Sequence, residues 1–232
     1  MNLGYYLGRF KGIVFDLDGT LVKTEVDFRQ LKREMIAELE RNGMPSGVMT
    51  PDKTTVAILE FAKKAWDDSG KSEAGWVPID AEMTRLMDAA EMRALGTLEV
   101  IPGASEAVRR LHSMGYRLGI LTRSNHTYAE EAVRKMGLVG QFDVVFGRGD
   151  TSQPKPYAEA MYESAQVMKL DLDEVFLVGD NQIDHACAVN AKCHFVGVSS
   201  GPRGEKSWEG NRPGVLLPSV ADLPDYILTH GE

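Results

Sequence analysis

The sequence has few cysteines, no long hydrophobic run and no excess of basic residues, and each absence narrows the class of protein. Two cysteines in 232 residues are too few for a disulfide framework and are consistent with a reducing compartment. No apolar run approaches the roughly 20 residues that span a bilayer, and residues 1–10 lack the apolar segment and cleavage site of a signal peptide. A cytoplasmic protein is therefore expected.

The charge balance argues against polyanionic partners. Acidic side chains number 34 and basic ones 26, which gives a formal net charge of −8, so the overall field repels nucleic acid and anionic membranes. The hydrophobic fraction of 43% and the charged fraction of 26% are those of an ordinary folded protein. We expect a globular protein that binds neither nucleic acid nor a membrane, and the composition indicates no particular oligomeric state.

Short apolar runs alternate with helical patterns over most of the chain, which predicts a parallel sheet covered by helices on both faces. The predicted fold class is therefore α/β, with a Rossmann-like, doubly wound parallel sheet. The predicted strands are Gly12–Phe15, Arg117–Leu121, Asp143–Phe146, Val175–Val178 and His194–Val198, with a candidate edge strand at Val215–Leu217. The predicted helices in this part of the chain are Ala104–Met114, Tyr128–Met136, Tyr157–Met168, Ile183–Asn190 and Ala221–Thr229.

One interval interrupts the alternation, because residues 23–98 contain helical periodicity and no convincing strand. Apolar residues recur at helical spacing from Phe28 to Leu39, and further helices fit Thr54–Trp66 and Ile79–Leu95. The polar stretch Gly70–Pro78 is expected to be a connecting loop. The predicted domains are an α/β catalytic core at 1–22 and 99–232 and an all-helical cap at 23–98, which is expected to lie over the catalytic face.

Two carboxylates follow the first predicted strand, in the stretch GIVFDLDGTLV at residues 12–22. Alternation along an extended chain places Asp16 and Asp18 on the same side, at the sheet edge where ligands of parallel sheets bind. Two ionised carboxylates this close repel each other, which favours a bound divalent cation or a shared proton. One carboxylate could attack phosphorus while the other protonates the leaving oxygen and later activates water. An ordinary surface turn remains the competing interpretation, since Asp-Gly is common in turns.

Polar groups also follow the second predicted strand, in the stretch GILTRSN at residues 119–125. The side chains of Thr122, Ser124 and Asn125, with their backbone N–H groups, could hold phosphate oxygens. Arg123 lies between them and is a further candidate for contact with phosphate. Taken alone this stretch is weak evidence, because polar residues after a strand often cap the next helix.

Two later stretches add a cation and further carboxylates. Lys155 lies between two prolines in QPKPYAEA, which would fix one ammonium group near a nucleophile and a phosphoryl group. Asp180 and Asp184 follow a buried strand in VFLVGDNQID, four residues apart on one helical face. With Asp16 they would provide three hard oxygen ligands for Mg²⁺. Taken singly, Lys155 could be a solvated lysine and Asp180 a helix cap. The order along the chain of a carboxylate pair, a hydroxyl, a lysine and a further carboxylate, each at or after a predicted strand, favours a catalytic site.

That order resembles the haloacid dehalogenase superfamily, because FDLDGT, ILTRSN, PKP and GDNQID stand where the four motifs of that family belong. The resemblance covers nearly the whole chain and includes a helical insert directly after the first motif, as in phosphoglycolate phosphatase-like members. It implies Asp16 as nucleophile and metal ligand, and Asp18 as general acid and base with a carbonyl that also binds the metal. The resemblance further implies phosphoryl binding by Thr122, charge stabilisation by Lys155, and metal binding by Asp180 with support from Asp184.

The resemblance predicts a Mg²⁺-dependent phosphatase that acts on a small phosphorylated metabolite. Asp18 argues against the dehalogenases of the superfamily, which lack an acidic residue there. The alternatives are a phosphomutase of the beta-phosphoglucomutase type and a catalytically silent binding protein with the same fold. Two positions depart from the family pattern: Arg123 stands where relatives often carry a small residue or asparagine, and Lys192 follows Ala191 where many relatives have glycine.

Overall fold

The computed structural model describes residues 10–230, and within that range six strands form a parallel sheet and two form a short antiparallel pair. The sheet has the order β5-β4-β1-β6-β7-β8, and every neighbouring pair in it is parallel. The short pair joins β2 to β3. The strands are β1 (Gly12–Phe15), β2 (Val22–Lys23), β3 (Glu99–Val100), β4 (Arg117–Leu121), β5 (Val144–Phe146), β6 (Val175–Gly179), β7 (His194–Val198) and β8 (Leu216–Leu217).

Helices α1 to α3 lie in the insert, α4 follows the short strand β3, and α5 to α8 each follow a strand of the parallel sheet. Short 3₁₀ turns occur at Leu95–Thr97, Leu172–Glu174, Gly204–Trp208 and Val220–Asp222. None of the helices within residues 10–230 combines the length and the apolar character needed to cross a lipid bilayer. The helices are α1 (Phe28–Arg41), α2 (Thr55–Asp68), α3 (Glu73–Ala94), α4 (Ala104–Ser113), α5 (His126–Lys135), α6 (Glu159–Met168), α7 (Gln182–Ala191) and α8 (Leu223–His230).

The chain divides into two compact units, which are residues 10–24 with 95–230 and residues 25–94. The first unit contains the parallel sheet. Side chains of the central strand β1 pack on both faces of this sheet. All of β1 is buried, and successive side chains alternate between faces. Ile13 and Phe15 belong to one hydrophobic cluster, whereas Val14 belongs to another. The predicted doubly wound α/β class is confirmed.

The register of the central strands places three sequence motifs at one edge of the sheet. Phe15, the last residue of β1, lies beside Ile120 of β4 and Val178 of β6. Because these strands are parallel, the residues that follow each of them emerge at the same edge. Asp16 follows β1 directly, Thr122 follows β4 and Asp180 follows β6.

The second unit contains α1, α2 and α3, and its interior includes two tryptophans. The predicted loop at Gly70–Pro78 is wrong, because α3 begins at Glu73 and contains Pro78. The rings of Trp66 and Trp76 pack with centroids 6.0 Å apart, and both side chains are buried. Full burial of a large apolar side chain contributes about 1.5–3 kcal/mol, which helps to offset the hydrogen bond lost at Pro78.

The short β2–β3 pair was not expected from the sequence. Val22 pairs with Val100 and Lys23 with Glu99, at the points where the chain leaves the α/β unit and returns to it. Strands of two residues have no periodicity to detect. The backbone N–H of Ile101 also donates to the carbonyl of Leu21 at 3.0 Å, so the two segments that flank the insert are hydrogen-bonded to each other.

Candidate active site

Asp16 is buried at the end of β1, and its carboxylate accepts from two side chains. Lys155 Nζ donates to Oδ1 at 2.6 Å, and Thr20 Oγ1 makes a longer contact of 3.5 Å with Oδ2. The backbone N–H of Asp16 donates to the carbonyl of Val178 in β6 at 2.8 Å. This hydrogen bond between the ends of β1 and β6 therefore fixes the backbone of Asp16.

Lys155 joins two carboxylates that are far apart in sequence. Its ammonium is only 2% exposed and also donates to Oδ1 of Asp184 at 2.6 Å. The lysine lies in the loop before α6, where the peptide bond to Pro156 is cis. Burial alone would lower the pKa of Lys155, but the charges of Asp16 and Asp184 outweigh burial and hold that pKa above its usual range. The ammonium therefore stays charged between the two carboxylates.

Asp180 and Asp184 complete a cluster of carboxylates with Asp16. One oxygen from each of the three buried side chains lies within 4.8 Å of the other two. Asp184 lies in the first turn of α7, where Oδ2 accepts from the backbone N–H of Asn181 at 3.3 Å. Asn181 Nδ2 in turn donates to Oδ1 of Asp180 at 3.0 Å. The strand end and the helix start thus orient both aspartates.

The electrostatics of this cluster favour a cation. Burial raises the pKa of Asp180 from 3.8 to about 7, and the charge of Asp184 acts in the same direction. Burial also raises the pKa of Asp16 well above its usual value, although Lys155 opposes the shift. One ammonium cannot neutralise three buried carboxylates, so a divalent cation bound to hard oxygen ligands would relieve the remaining repulsion. The donor set of Asp16, Asp180 and Asp184 therefore fits Mg²⁺.

Three glycines leave the space that these carboxylates occupy. A Cβ added at Gly201 would lie 1.8 Å from Oδ2 of Asp180, and one at Gly19 would lie 2.5 Å from the same oxygen. At Gly179 an added Cβ would lie 2.4 Å from Cβ of Asp184. Atoms cannot approach this closely, so a side chain at any of these positions would displace an aspartate.

Asp18 is held by three hydroxyl groups. Tyr128 Oη donates to Oδ1 at 2.6 Å, Thr24 Oγ1 donates to the same oxygen at 3.1 Å, and Ser124 Oγ donates to Oδ2 at 2.8 Å. A bound cation or a shared proton is what the sequence predicts as relief for the repulsion between Asp16 and Asp18. In the structure the two carboxylates have separate partners, with an ammonium at Asp16 and hydroxyls at Asp18.

The phosphate candidates Thr122 and Arg123 lie directly after β4. Thr122 is buried, its N–H donates to the carbonyl of Phe146 at 2.9 Å, and its Oγ1 accepts from the N–H of Ser124 at 3.1 Å. Arg123 is half-buried, and its carbonyl accepts from Nε of Arg148 at 3.2 Å. Ser124 links this loop to Asp18, because its N–H donates to Thr122 Oγ1 and its Oγ donates to Oδ2 of Asp18.

The structure brings Asp16, Lys155, Asp180 and Asp184 into one cluster, with Asp18 two residues after Asp16. Sequence reasoning missed the part played by Tyr128, Thr24 and the glycines. Tyr128 lies in the first turn of α5. The side chain of Asn125 caps this helix by accepting from the backbone N–H of Tyr128. A tyrosine at the start of the helix that follows β4 is the sequence signal that could have identified it.

Phosphoglycolate phosphatases are among the proteins to which this chain is similar in sequence. A phosphoglycolate phosphatase of Cereibacter sphaeroides is 29% identical over 193 residues, which cover 83% of this chain and 86% of the relative. A phosphoglycolate phosphatase of Neisseria meningitidis is 25% identical over 224 residues, which cover 94% of this chain and 89% of the relative.

The fold is shared with solved structures. The crystal structure of a haloacid dehalogenase-like hydrolase from Bacteroides fragilis superposes with a TM-score of 0.66 at 21% identity, covering 92% of this chain and 99% of the other. The sequence pattern described as haloacid dehalogenase-like hydrolase matches residues 13–198, which contain the predicted catalytic, phosphate-binding and metal-binding residues. This chain therefore belongs to the haloacid dehalogenase-like hydrolase family.

Proposed function

We propose that the protein is a Mg²⁺-dependent phosphomonoesterase that hydrolyses a small phosphorylated metabolite through an aspartyl-phosphate on Asp16. The observation that most directly supports this function is the position of the Lys155 ammonium, 2.6 Å from both Asp16 and Asp184. A negatively charged phosphoryl group would be repelled by the Asp16 carboxylate. The Lys155 ammonium beside Asp16 offsets that repulsion, so Asp16 can approach the phosphorus atom.

In the first half of the reaction Asp16 is the nucleophile and Asp18 is the general acid. A carboxylate oxygen of Asp16 bonds to phosphorus as the bond from phosphorus to the ester oxygen breaks, and Asp18 gives its proton to that leaving oxygen. Lys155 holds the Asp16 carboxylate in a fixed orientation and offsets the charge that gathers on the transferred group.

In the second half Asp18 acts as a base. Its carboxylate takes a proton from a water molecule, whose oxygen bonds to phosphorus while the bond between phosphorus and Asp16 breaks. Inorganic phosphate leaves, Asp16 is again a carboxylate and Asp18 is again protonated. The reaction therefore needs Asp18 in the same position in both halves. The hydroxyls of Tyr128, Thr24 and Ser124 hold its carboxylate there.

Asp16, Asp180 and Asp184 would hold the metal ion, together with the backbone carbonyl of Asp18. When bound, Mg²⁺ would supply positive charge for the phosphoryl oxygens and for the carboxylate cluster. Thr122 and Arg123 are the proposed contacts for the phosphate oxygens, since they follow the strand next to β1 at the same sheet edge. The glycines at 19 and 201 keep that edge open around Asp180.

The chemistry of the site and the names of the relatives support a small phosphate monoester as substrate. Phosphoglycolate phosphatases are among the matched proteins, so 2-phosphoglycolate is the first compound to test. A panel of phosphorylated sugars, acids and nucleotides is assayed for phosphate release with Mg²⁺ and with EDTA. Hydrolysis that requires Mg²⁺ and is lost in Asp16→Asn supports the proposal, and full activity of that variant would refute it.

The same panel separates the alternatives. A phosphomutase would return the phosphoryl group to a sugar phosphate, so it would isomerise its substrate and release little phosphate. A silent binding protein would bind Mg²⁺ and turn over no ester. Either result would replace the phosphatase assignment.

A further inference from the structure

Asp18 has an unequal distribution of hydrogen bonds over its two carboxylate oxygens. Oδ1 accepts from Tyr128 Oη at 2.6 Å and from Thr24 Oγ1 at 3.1 Å, whereas among residues 10–230 Ser124 Oγ is the one donor to Oδ2, at 2.8 Å. A carboxylate oxygen has two lone-pair sites. The hydroxyls of Tyr128 and Thr24 therefore use both sites of Oδ1, and one site of Oδ2 remains for a proton.

The tyrosine is the most firmly placed of these donors. Its side chain is fully buried in the hydrophobic cluster that covers one face of the sheet. Its backbone N–H is bound by the Asn125 side chain that caps α5. A buried tyrosine needs a partner for its hydroxyl, and that partner is Asp18 at the short distance of 2.6 Å. The ring thus joins the rigid core to the acid-base group.

We propose that Tyr128 is the positioning residue of the general acid and base, and that it directs Oδ2 of Asp18 to exchange the proton. The inference rests on the proposed phosphatase function and deepens it. Tyr128 touches neither the phosphoryl group nor the metal in this assignment. It acts by occupying Oδ1 of Asp18, so that the proton is carried by the other oxygen.

Substrates with different leaving groups provide the test, because only a poor leaving group needs a proton from Asp18. The value of kcat/KM reports the steps up to departure of that group, and it is measured for an alkyl phosphate and for p-nitrophenyl phosphate. In Tyr128→Phe we expect a loss on the order of 10–100-fold for the alkyl ester, since one charged hydrogen bond is removed. For the nitrophenyl ester we expect a change smaller than about threefold, because its acidic leaving group departs without protonation.

The matched control is Tyr162→Phe, which deletes the same hydroxyl from a tyrosine that is 49% exposed in α6. Its values should equal those of the wild type. Thr24→Val removes the second donor to Oδ1 and should show the same discrimination between esters with a smaller loss. This second variant also tests the proposal if Tyr128→Phe fails to fold, which a thermal unfolding scan detects.

Equal losses on both esters would show that Tyr128 has only a structural role, and unchanged values on both would show no role at all. Either result overturns the positioning proposal while the phosphatase assignment stands. If the wild type hydrolyses neither ester nor any compound of the metabolite panel, the proposed function itself fails and the role of Tyr128 fails with it.

Discussion

The backbone of Gly201 lies directly against the carboxylate of Asp180, so closely that a Cβ there would be 1.8 Å from Oδ2. Gly201 follows β7, whereas Asp180 follows β6, so the contact joins two neighbouring strands at the same sheet edge. On the other side, Gly19 lies against the same oxygen from the loop after β1. The rotamer of Asp180 is therefore limited by two stretches of backbone that carry no side chain.

Gly201→Ala should weaken Mg²⁺ binding, because the new methyl group must displace the Asp180 carboxylate. Groups that orient metal ligands typically change metal affinity by about 10–100-fold when they are lost, and we expect a Kd increase in that range by isothermal titration calorimetry. Gly96→Ala is the matched control, since Gly96 is exposed and an added Cβ meets nothing within 4 Å. Equal affinities in the two variants would contradict this account of Gly201.

The contribution of Asp180 to the stability of the metal-free protein should fall as pH rises from 3.8 to about 7. Burial raises the pKa of Asp180 to about 7, with Asp184 adding to the shift. Between the two values the folded state keeps a proton that the unfolded chain has released, so the free energy of unfolding falls with pH and levels off above about 7. Urea unfolding in EDTA across this range measures the slope.

Added Mg²⁺ should reverse that trend, because the cation binds the ionised carboxylates and not the protonated ones. The rise in Tm on adding Mg²⁺ is expected to be small near pH 5 and large near pH 8. Asp180→Asn is the control, since the amide cannot ionise and is a poorer ligand. In that variant both the pH slope and the Mg²⁺ effect should shrink, and a wild-type response there would rule out Asp180 as their source.

Lys155→Met should destabilise the metal-free protein strongly. The variant keeps the volume of the side chain but leaves Asp16 and Asp184 without the cation that lies 2.6 Å from each. Removing one partner of a buried ion pair typically costs about 3–5 kcal/mol. Urea unfolding at pH 7.5 in EDTA measures the loss.

The cause of that loss is tested by a double variant. If the destabilisation comes from uncompensated charge, adding Asp184→Asn to Lys155→Met removes one of the two stranded carboxylates. The double variant should then lose less stability than the sum of the two single variants, by more than about 1 kcal/mol. Additive losses would show that Lys155 stabilises the fold by packing alone.

Much of the sheet could be predicted from sequence, because its strands are short apolar runs with clear limits. β1, β4 and β7 begin and end at the predicted residues, and β6 is one residue longer. The start of α3 was misplaced because Pro78 and the nearby glycines indicate a loop locally. Burial of Trp76 against Trp66 is a tertiary effect that a local pattern does not contain.

The candidate site shows the same division. Asp16, Lys155, Asp180 and Asp184 were predicted because each is a charged residue at the end of a strand, in the following loop or in the first turn of the next helix. The contacts that Tyr128, Thr24 and the glycines make with the aspartates were not predicted. Gly201 contributes only by lacking a side chain, and Tyr128 reads as an ordinary core residue until its hydroxyl is seen 2.6 Å from Asp18.

The departure at Lys192 has a structural consequence at the end of α7. This exposed residue adopts a left-handed conformation with φ of 58°, and its N–H donates to the carbonyl of Ala188. A residue with a Cβ is strained there, whereas glycine is not. Lys192→Gly should therefore raise the free energy of unfolding by about 0.5–1 kcal/mol and leave kcat/KM unchanged.

Lys192→Ala separates backbone strain from loss of the lysine side chain. Alanine keeps a Cβ in the left-handed conformation, so this variant should gain no stability in urea unfolding. Lys169 ends α6 in the same way, with φ of 57°, and Lys169→Gly should give a gain of similar size. A gain in Lys192→Ala equal to that in Lys192→Gly would place the effect in the side chain and not in the backbone.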